Sequence, residues 1–195
     1  MKEFDPFAGV FVAQKERPGY LQDVDFRELT SFERTWLVID GTVTRFLEGQ
    51  KVEPIDIIEC EWSKETLTKD HIWLDAPKGS VVASRRVLLR GGHSGHIHAS
   101  ADSLLILKRV EDAVGRPVDR IPEGLGRMLS SGRTEQYREL LWYGKETASD
   151  LPNEIRNLAS ECCLSRTYRI MLNKKPAMII TEWLEPRSKR QRPSD

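Results

Sequence analysis

The chain has 195 residues, 39% hydrophobic and 31% charged, with Lys plus Arg and Asp plus Glu at 30 each. A formal net charge of zero excludes the strong basic bias of a nucleic-acid binder, and no apolar run approaches the roughly 20 residues of a membrane span. Such a chain suits one water-soluble domain with its own core. It is expected in the cytoplasm, because Met1–Asp5 lacks a charged and then apolar signal segment.

Residues 1–24 mix Pro6, Pro18 and Gly19 with scattered apolar residues and take no assignment. The expected domain runs over 25–186. Phe32, Trp36 and Ile39 at i, i+4 and i+7 predict one buried helical stripe. Asp40-Gly41 interrupts it, with Gly41 suited to a left-handed stop. A second short helix over Thr42–Glu48 follows, capped by Asp40 or Thr42.

After Gly49 the pattern turns strand-like, over Val52–Trp62, Val81–Arg90, His96–Leu107, Thr134–Tyr143, Leu164–Leu172 and Ala177–Leu184. Gly91–Gly95 reads as a hairpin connection, and so does Asn173–Pro176. Between these, Ile121–Gly126 leads into a short helix over Arg127–Ser131. The end, Arg187–Asp195, holds four basic residues and reads as a loose tail. Helices first and hairpin-linked strands after predict an α+β fold with an antiparallel sheet packed on helices.

Two strands carry charge where a core face should be apolar. Val81, Ala83, Arg85, Val87 and Leu89 share one face of their strand, as do Met178, Ile180, Glu182 and Leu184 of theirs. A buried charge must be paired. Three readings stand open: Arg85 and Glu182 pair with each other, each reaches the surface at a strand end, or they face an acid ligand in a pocket. A guanidinium fork matches a carboxylate, and a carboxyl among apolar neighbours suits a general acid. Gly41-Thr42-Val43 and Gly124-Leu125-Gly126 precede short helices whose first amides could join Arg85 around a carboxylate.

Other signals point to no chemistry. His96 and His98 share a face with Ser100 and Asp102, the expected polar side, while Ile97, Ala99, Ala101 and Leu105 form the core side. With His93 they lack a fitting ligand set, so no metal is expected. Cys60 stands alone and Cys162 and Cys163 are adjacent, which is neither a disulfide framework nor a zinc spacing.

Several short motifs, in order, resemble the chorismate pyruvate-lyases. These are Asp40-Gly41-Thr42-Val43-Thr44-Arg45, Arg85-Arg86-Val87-Leu88-Leu89-Arg90-Gly91, Ala101-Asp102-Ser103-Leu104-Leu105, Leu125-Gly126-Arg127, and Arg166-Thr167-Tyr168-Arg169 through Thr181-Glu182-Trp183. The match spans about Ser31 to Pro186. Gly124 departs from the family's usual proline, Asp102 from a frequent glutamate, and His96 and His98 from aromatic or apolar residues.

The resemblance implies a six-stranded antiparallel sheet with helices covering an enclosed site. It also implies loss of pyruvate from chorismate to leave 4-hydroxybenzoate, without metal or organic cofactor. It makes Arg85 the carboxylate-binding arginine and Glu182 the acidic residue at the far end, with Val43 and Leu125 offering amides beside Thr42 and Gly126. Glu182 is expected protonated among apolar neighbours, donating to the departing ether. The expected partner is a small aromatic or pre-aromatic carboxylate. Two alternatives remain on this scaffold: an enzyme for another small acid, and a non-catalytic acid-binding domain.

Overall fold

Residues 4–120, 128–129, 135–147, 149, 151, 156 and 162–185 are described by the computed structural model. Two helices come first, α1 at Ser31–Val38 and α2 at Val43–Lys51. Strands β1 (Ile55–Thr66), β2 (Val81–Gly91) and β3 (Ile97–Leu105) follow, then α3 (Leu107–Val114) and strands β4 (Gln136–Thr147), β5 (Cys162–Leu172) and β6 (Lys175–Leu184). The strands form one antiparallel six-stranded sheet in the order β1-β2-β3-β6-β5-β4. The expected α+β class is therefore met.

Local chemistry accounts for most of these elements. Thr30 and Glu33 form a reciprocal capping box at the start of α1, satisfying two otherwise orphaned donors. The expected left-handed stop at Gly41 is absent: α1 ends through Ile39 in an extended conformation, and Gly41 is not among the positive-φ glycines. Instead, Arg166 of β5 reaches across and donates to the carbonyls of Trp36, Leu37 and Ile39. A cation there satisfies the orphan carbonyls and the negative end of the helix dipole. Thr42 does occupy the N-cap position of α2, but its side chain makes no capping bond.

Both expected hairpins form. Asn173 and Lys174 have φ of 49° and 63°, the two consecutive left-handed residues of a tight hairpin turn. Lys175 and Pro176 already belong to β6. At the other hairpin, Gly91 N–H donates to the His96 carbonyl at 2.8 Å.

The structure adds α3, where a strand to Leu107 was expected. Leu107 and Val110 bury one side of it, and Gly115, at φ 71°, supplies the left-handed C-cap. Of the expected helix Arg127–Ser131, Met128 and Leu129 are helical and buried, and its other residues lie outside the described ones.

Residues 4–24 are not loose. Phe7 and Phe11 pack on Tyr143, with ring centroids at 5.1 and 4.5 Å. Val12 and Ala13 donate to the carbonyls of Leu140 and Leu141, and Gln22 bridges Lys145. The segment thereby covers β4, an edge strand. Gly144 permits this approach, because a Cβ there would meet Leu21 Cβ at 2.9 Å and the Gln22 carbonyl at 3.0 Å.

The sheet buries apolar groups on both faces. One face packs with α1, α2, α3 and Phe7 and Phe11 in the main core. The reverse face carries smaller clusters around Leu74 and Val82, around Leu141 and Trp142, and around Cys163 and Trp183. This corrects the expectation for β3. Its expected polar side is buried in its middle, with His98 5% exposed and Ser100 fully enclosed, while His96 is exposed and Asp102 half-buried. Among the described residues no helix is long and apolar enough to cross a membrane.

Candidate functional site

Register decides which side chains meet on the core face. Ile57 and Glu59 of β1 lie opposite Leu89 and Val87 of β2, and so share a face with Arg85, while Arg138 of β4 lies opposite Ile170 of β5. A bulge follows in each edge strand, between Glu59 and Glu61 in β1 and between Leu140 and Trp142 in β4, and flips the alternation only beyond these residues. A cavity of about 70 Å³ lies on the core face, lined by apolar side chains such as Val87, Leu89, Ile170 and Ile180. Thr42, Val43 and Thr44 at the start of α2 close one side.

Four of the expected residues thus come together at one cavity: Arg85, Glu182, Thr42 and Val43. Leu125, Gly126 and Gly124 lie outside the described residues. Arg85 and Glu182 project from strands two places apart in the sheet, β2 and β6 with β3 between. That is a span of about 10 Å at ordinary strand spacing, comparable to a small aromatic acid with its substituents.

Neither of the plainer readings of these charges holds. Arg85 is 3% exposed and Glu182 4%, so neither reaches the surface. They pair with different partners. Arg85 Nε donates to Glu59 Oε2 at 3.2 Å, and the exposed Arg120 shares that carboxylate at 3.3 Å. Burial lowers the Arg85 guanidinium from its ordinary value, while the bond and charge of Glu59 oppose this.

Glu182 has polar partners rather than the expected apolar shell. Arg166 Nε donates to one of its oxygens at 2.9 Å and the Tyr168 hydroxyl to the other, also at 2.9 Å. Two donors, one of them charged, suit a carboxylate rather than a carboxylic acid. Burial pushes the Tyr168 phenol well above the ordinary tyrosine range, and the charge of Glu182 adds to the rise. The Arg166 guanidinium also lies over the rings of Trp36 and Tyr168, at 4.9 and 5.2 Å from their centroids.

Four residues of this constellation were not singled out from the sequence: Glu59, Arg138, Arg166 and Tyr168. Arg166 carried the same signal as Arg85, since it interrupts the alternating set Leu164, Tyr168, Ile170 and Leu172. Glu59 continues the face of Ile55 and Ile57, but the bulge at Cys60 hides that phase.

The histidines gather on the reverse face. His96 Nε2 lies 2.6 Å from Glu185 Oε2, and His98 Nε2 lies 3.1 Å from Glu53 Oε1. One ligand atom each from His96, His98 and Glu185 fall within 4.8 Å of one another, a convergence that sequence spacing did not reveal. The two carboxylates already engage one ring nitrogen of each histidine, so these polar contacts account for the cluster. Backbone bonds from Ser94, with the His98 contact second, hold the Glu53 carboxyl down at about 2. Cys163 is buried, which pushes its thiol up to about 12 and makes it a poor nucleophile.

Fold and cavity define a class: an α+β domain carrying a small, largely apolar cavity on one face of a six-stranded antiparallel sheet. The family model described as "Chorismate pyruvate-lyase Rv2949c-like" matches residues 37–192, and the chain belongs to that family. It is 24% identical over 180 residues to a chorismate pyruvate-lyase of Mycobacterium tuberculosis, covering 84% of each chain. A Mycobacterium leprae chorismate pyruvate-lyase is 24% identical over 165 residues, covering 82% of this chain and 76% of that one.

Solved structures share the fold at lower identity. The effector domain of PhnF from Mycobacterium smegmatis superposes with a TM-score of 0.54 at 13% identity, covering 74% of this chain and 88% of that one. A putative regulator from Escherichia coli CFT073 gives 0.51 at 13% identity, covering 68% and 96%.

Proposed function

We propose that the cavity binds a small aromatic or pre-aromatic carboxylate and that the protein removes pyruvate from chorismate, leaving 4-hydroxybenzoate. The observation that carries the reading is the buried Arg85 facing a largely apolar cavity that Glu182 also lines. Apolar walls with a few convergent polar groups are what a small-molecule site requires. Arg85 and the first amides of α2, at Val43 and Thr44, grip the ring carboxylate. In this reading Leu125 and Gly126 supply further contacts to that carboxylate.

The polar partners of Glu182 favour a proton route that starts from a carboxylate. The C3–O bond of chorismate breaks, its electron pair staying on the enolpyruvyl oxygen. The C4 proton passes to Glu182, and the C4–H electrons complete the aromatic ring. Glu182 then returns that proton to the enolpyruvate, which tautomerises to pyruvate, so protons balance without a cofactor. Arg166 and Tyr168 hold the carboxylate in place, and positioning in a dry site lowers the barrier further.

A second reading is a binding domain without catalysis, supported by the fold likeness to the PhnF effector domain. An enzyme acting on another small acid would use the same Arg85 grip. Incubation with chorismate separates them. The lyase reading expects 4-hydroxybenzoate and pyruvate in equal amounts. Tight 4-hydroxybenzoate binding with no turnover would leave the binding domain, and binding of neither acid would remove the lyase reading and leave the enzyme for another small acid.

A further inference from the structure

Arg138 of β4 differs from the other arginines of the cavity. Arg85 has Glu59, and Arg166 has Glu182 and three carbonyls. Arg138 donates through one terminal nitrogen to the Asp40 carbonyl at 3.1 Å, and among the described residues no carboxylate pairs with it. Its Nε is buried without a hydrogen-bond partner, and the side chain lines the cavity. A buried donor left unmatched is costly, and more so on a charged group.

The charges around the cavity point the same way. Arg85 pairs with Glu59 and Arg166 with Glu182, while Arg138 lines the cavity with no carboxylate on it among the described residues. An acid group on the ligand is what such a cation takes as its partner. Along the sheet, Arg85 and Arg138 stand on opposite sides of the Glu182 and Tyr168 pair, on β2 and β4. A ligand reaching from one arginine to the other passes that pair on the way.

We infer that Arg138 is the receptor for a second acid group, so that the site selects dicarboxylates over monocarboxylates. This rests on the chorismate reading in one respect: the second acid is then the enolpyruvyl carboxylate, held while the ether bond beside it breaks. The product 4-hydroxybenzoate has no such group. Arg138 therefore discriminates substrate from product, favouring entry of one and release of the other.

The test measures affinity for chorismate and for 4-hydroxybenzoate side by side, using a Glu182→Gln background so that chorismate persists. Arg138→Met is expected to weaken chorismate binding by about 10- to 100-fold, the loss of one charge-assisted contact, while 4-hydroxybenzoate changes by less than about 3-fold. Arg138→Lys, which keeps the charge, is expected to recover part of the chorismate affinity and controls for misfolding. Equal losses for both acids in Arg138→Met would overturn the inference, as would unchanged chorismate binding. Absence of turnover in the unmodified protein, with this discrimination intact, would instead remove the lyase reading and leave the dicarboxylate site standing.

Discussion

The two faces of the sheet bury polar groups in different ways. On the reverse face most of them close on one another: Trp183 Nε1 donates to Glu146 at 2.7 Å, the Thr167 and Thr181 hydroxyls meet at 2.9 Å, and His98 meets Glu53 through Nε2, its Nδ1 being buried without a partner and away from the cavity. On the cavity face, donors remain available after the internal pairs are made, namely the Arg138 Nε and the first-turn amides of α2. Burial of charge alone does not mark a site, since both faces have it. What marks the site is donor capacity left over in a cavity.

That contrast can be broken most sharply at Glu182. Glu182→Gln keeps an acceptor for Arg166 or Tyr168 but cannot carry the proton, so kcat for chorismate should fall by a factor of about 100 to 10,000. Affinity for 4-hydroxybenzoate, followed in the same preparation, should move only a few-fold. Comparable turnover in the variant would take the proton route away from this residue.

The reverse face should respond in the opposite sense. Trp183→Phe leaves the buried Glu146 carboxylate without its indole donor, a loss of about 1–3 kcal/mol. For a chain of this size that lowers the melting temperature by roughly 2–4 °C per kcal/mol. Ligand affinity should not change. A variant with native stability and weakened ligand binding would mean that the two faces are not separable.

The smallest effect is a dependence of stability on pH. Burial lowers the pKa of His98, with the charges of Lys51 and His96 in the same direction and the Glu53 contact opposing. A histidine depressed in the folded state contributes fully above its unfolded pKa, near 6.5, and its contribution fades as pH falls below that. Glu53 adds stability above the ordinary glutamate range, lost as pH drops toward about 2. Urea midpoints should therefore decline from pH 7 to pH 5, and less so in His98→Gln. A midpoint that rises on acidification contradicts the sign.

Much of the architecture was legible because strands alternate. Arg85 and Glu182 stood out as charges in otherwise apolar phases, and the hairpins announced themselves through glycine and through Asn173-Lys174. Arg166 obeyed the same rule and could have been found by it. Arg138 sits in phase with Leu140, but the apolar run from Leu140 to Tyr143 and the bulge within it erase the alternation. The environment of Glu182 was not legible locally, since its shell depends on a neighbouring strand supplying Arg166 and Tyr168. His98 was misplaced for a similar reason: its partner Glu53 lies 45 residues away, and the reverse face is covered by side chains from distant segments. The helix α3 was absorbed into the strand before it, although Leu107, Val110 and Gly115 carry a helical stripe and its stop.

Titration of 4-hydroxybenzoate into the protein and into Arg85→Ala addresses the central claim most directly. Binding by the unmodified chain, weakened by about 10- to 100-fold in the variant, is the outcome the account predicts. Equal affinity in both would contradict it, because the buried guanidinium would then serve contacts within the protein, such as that with Glu59.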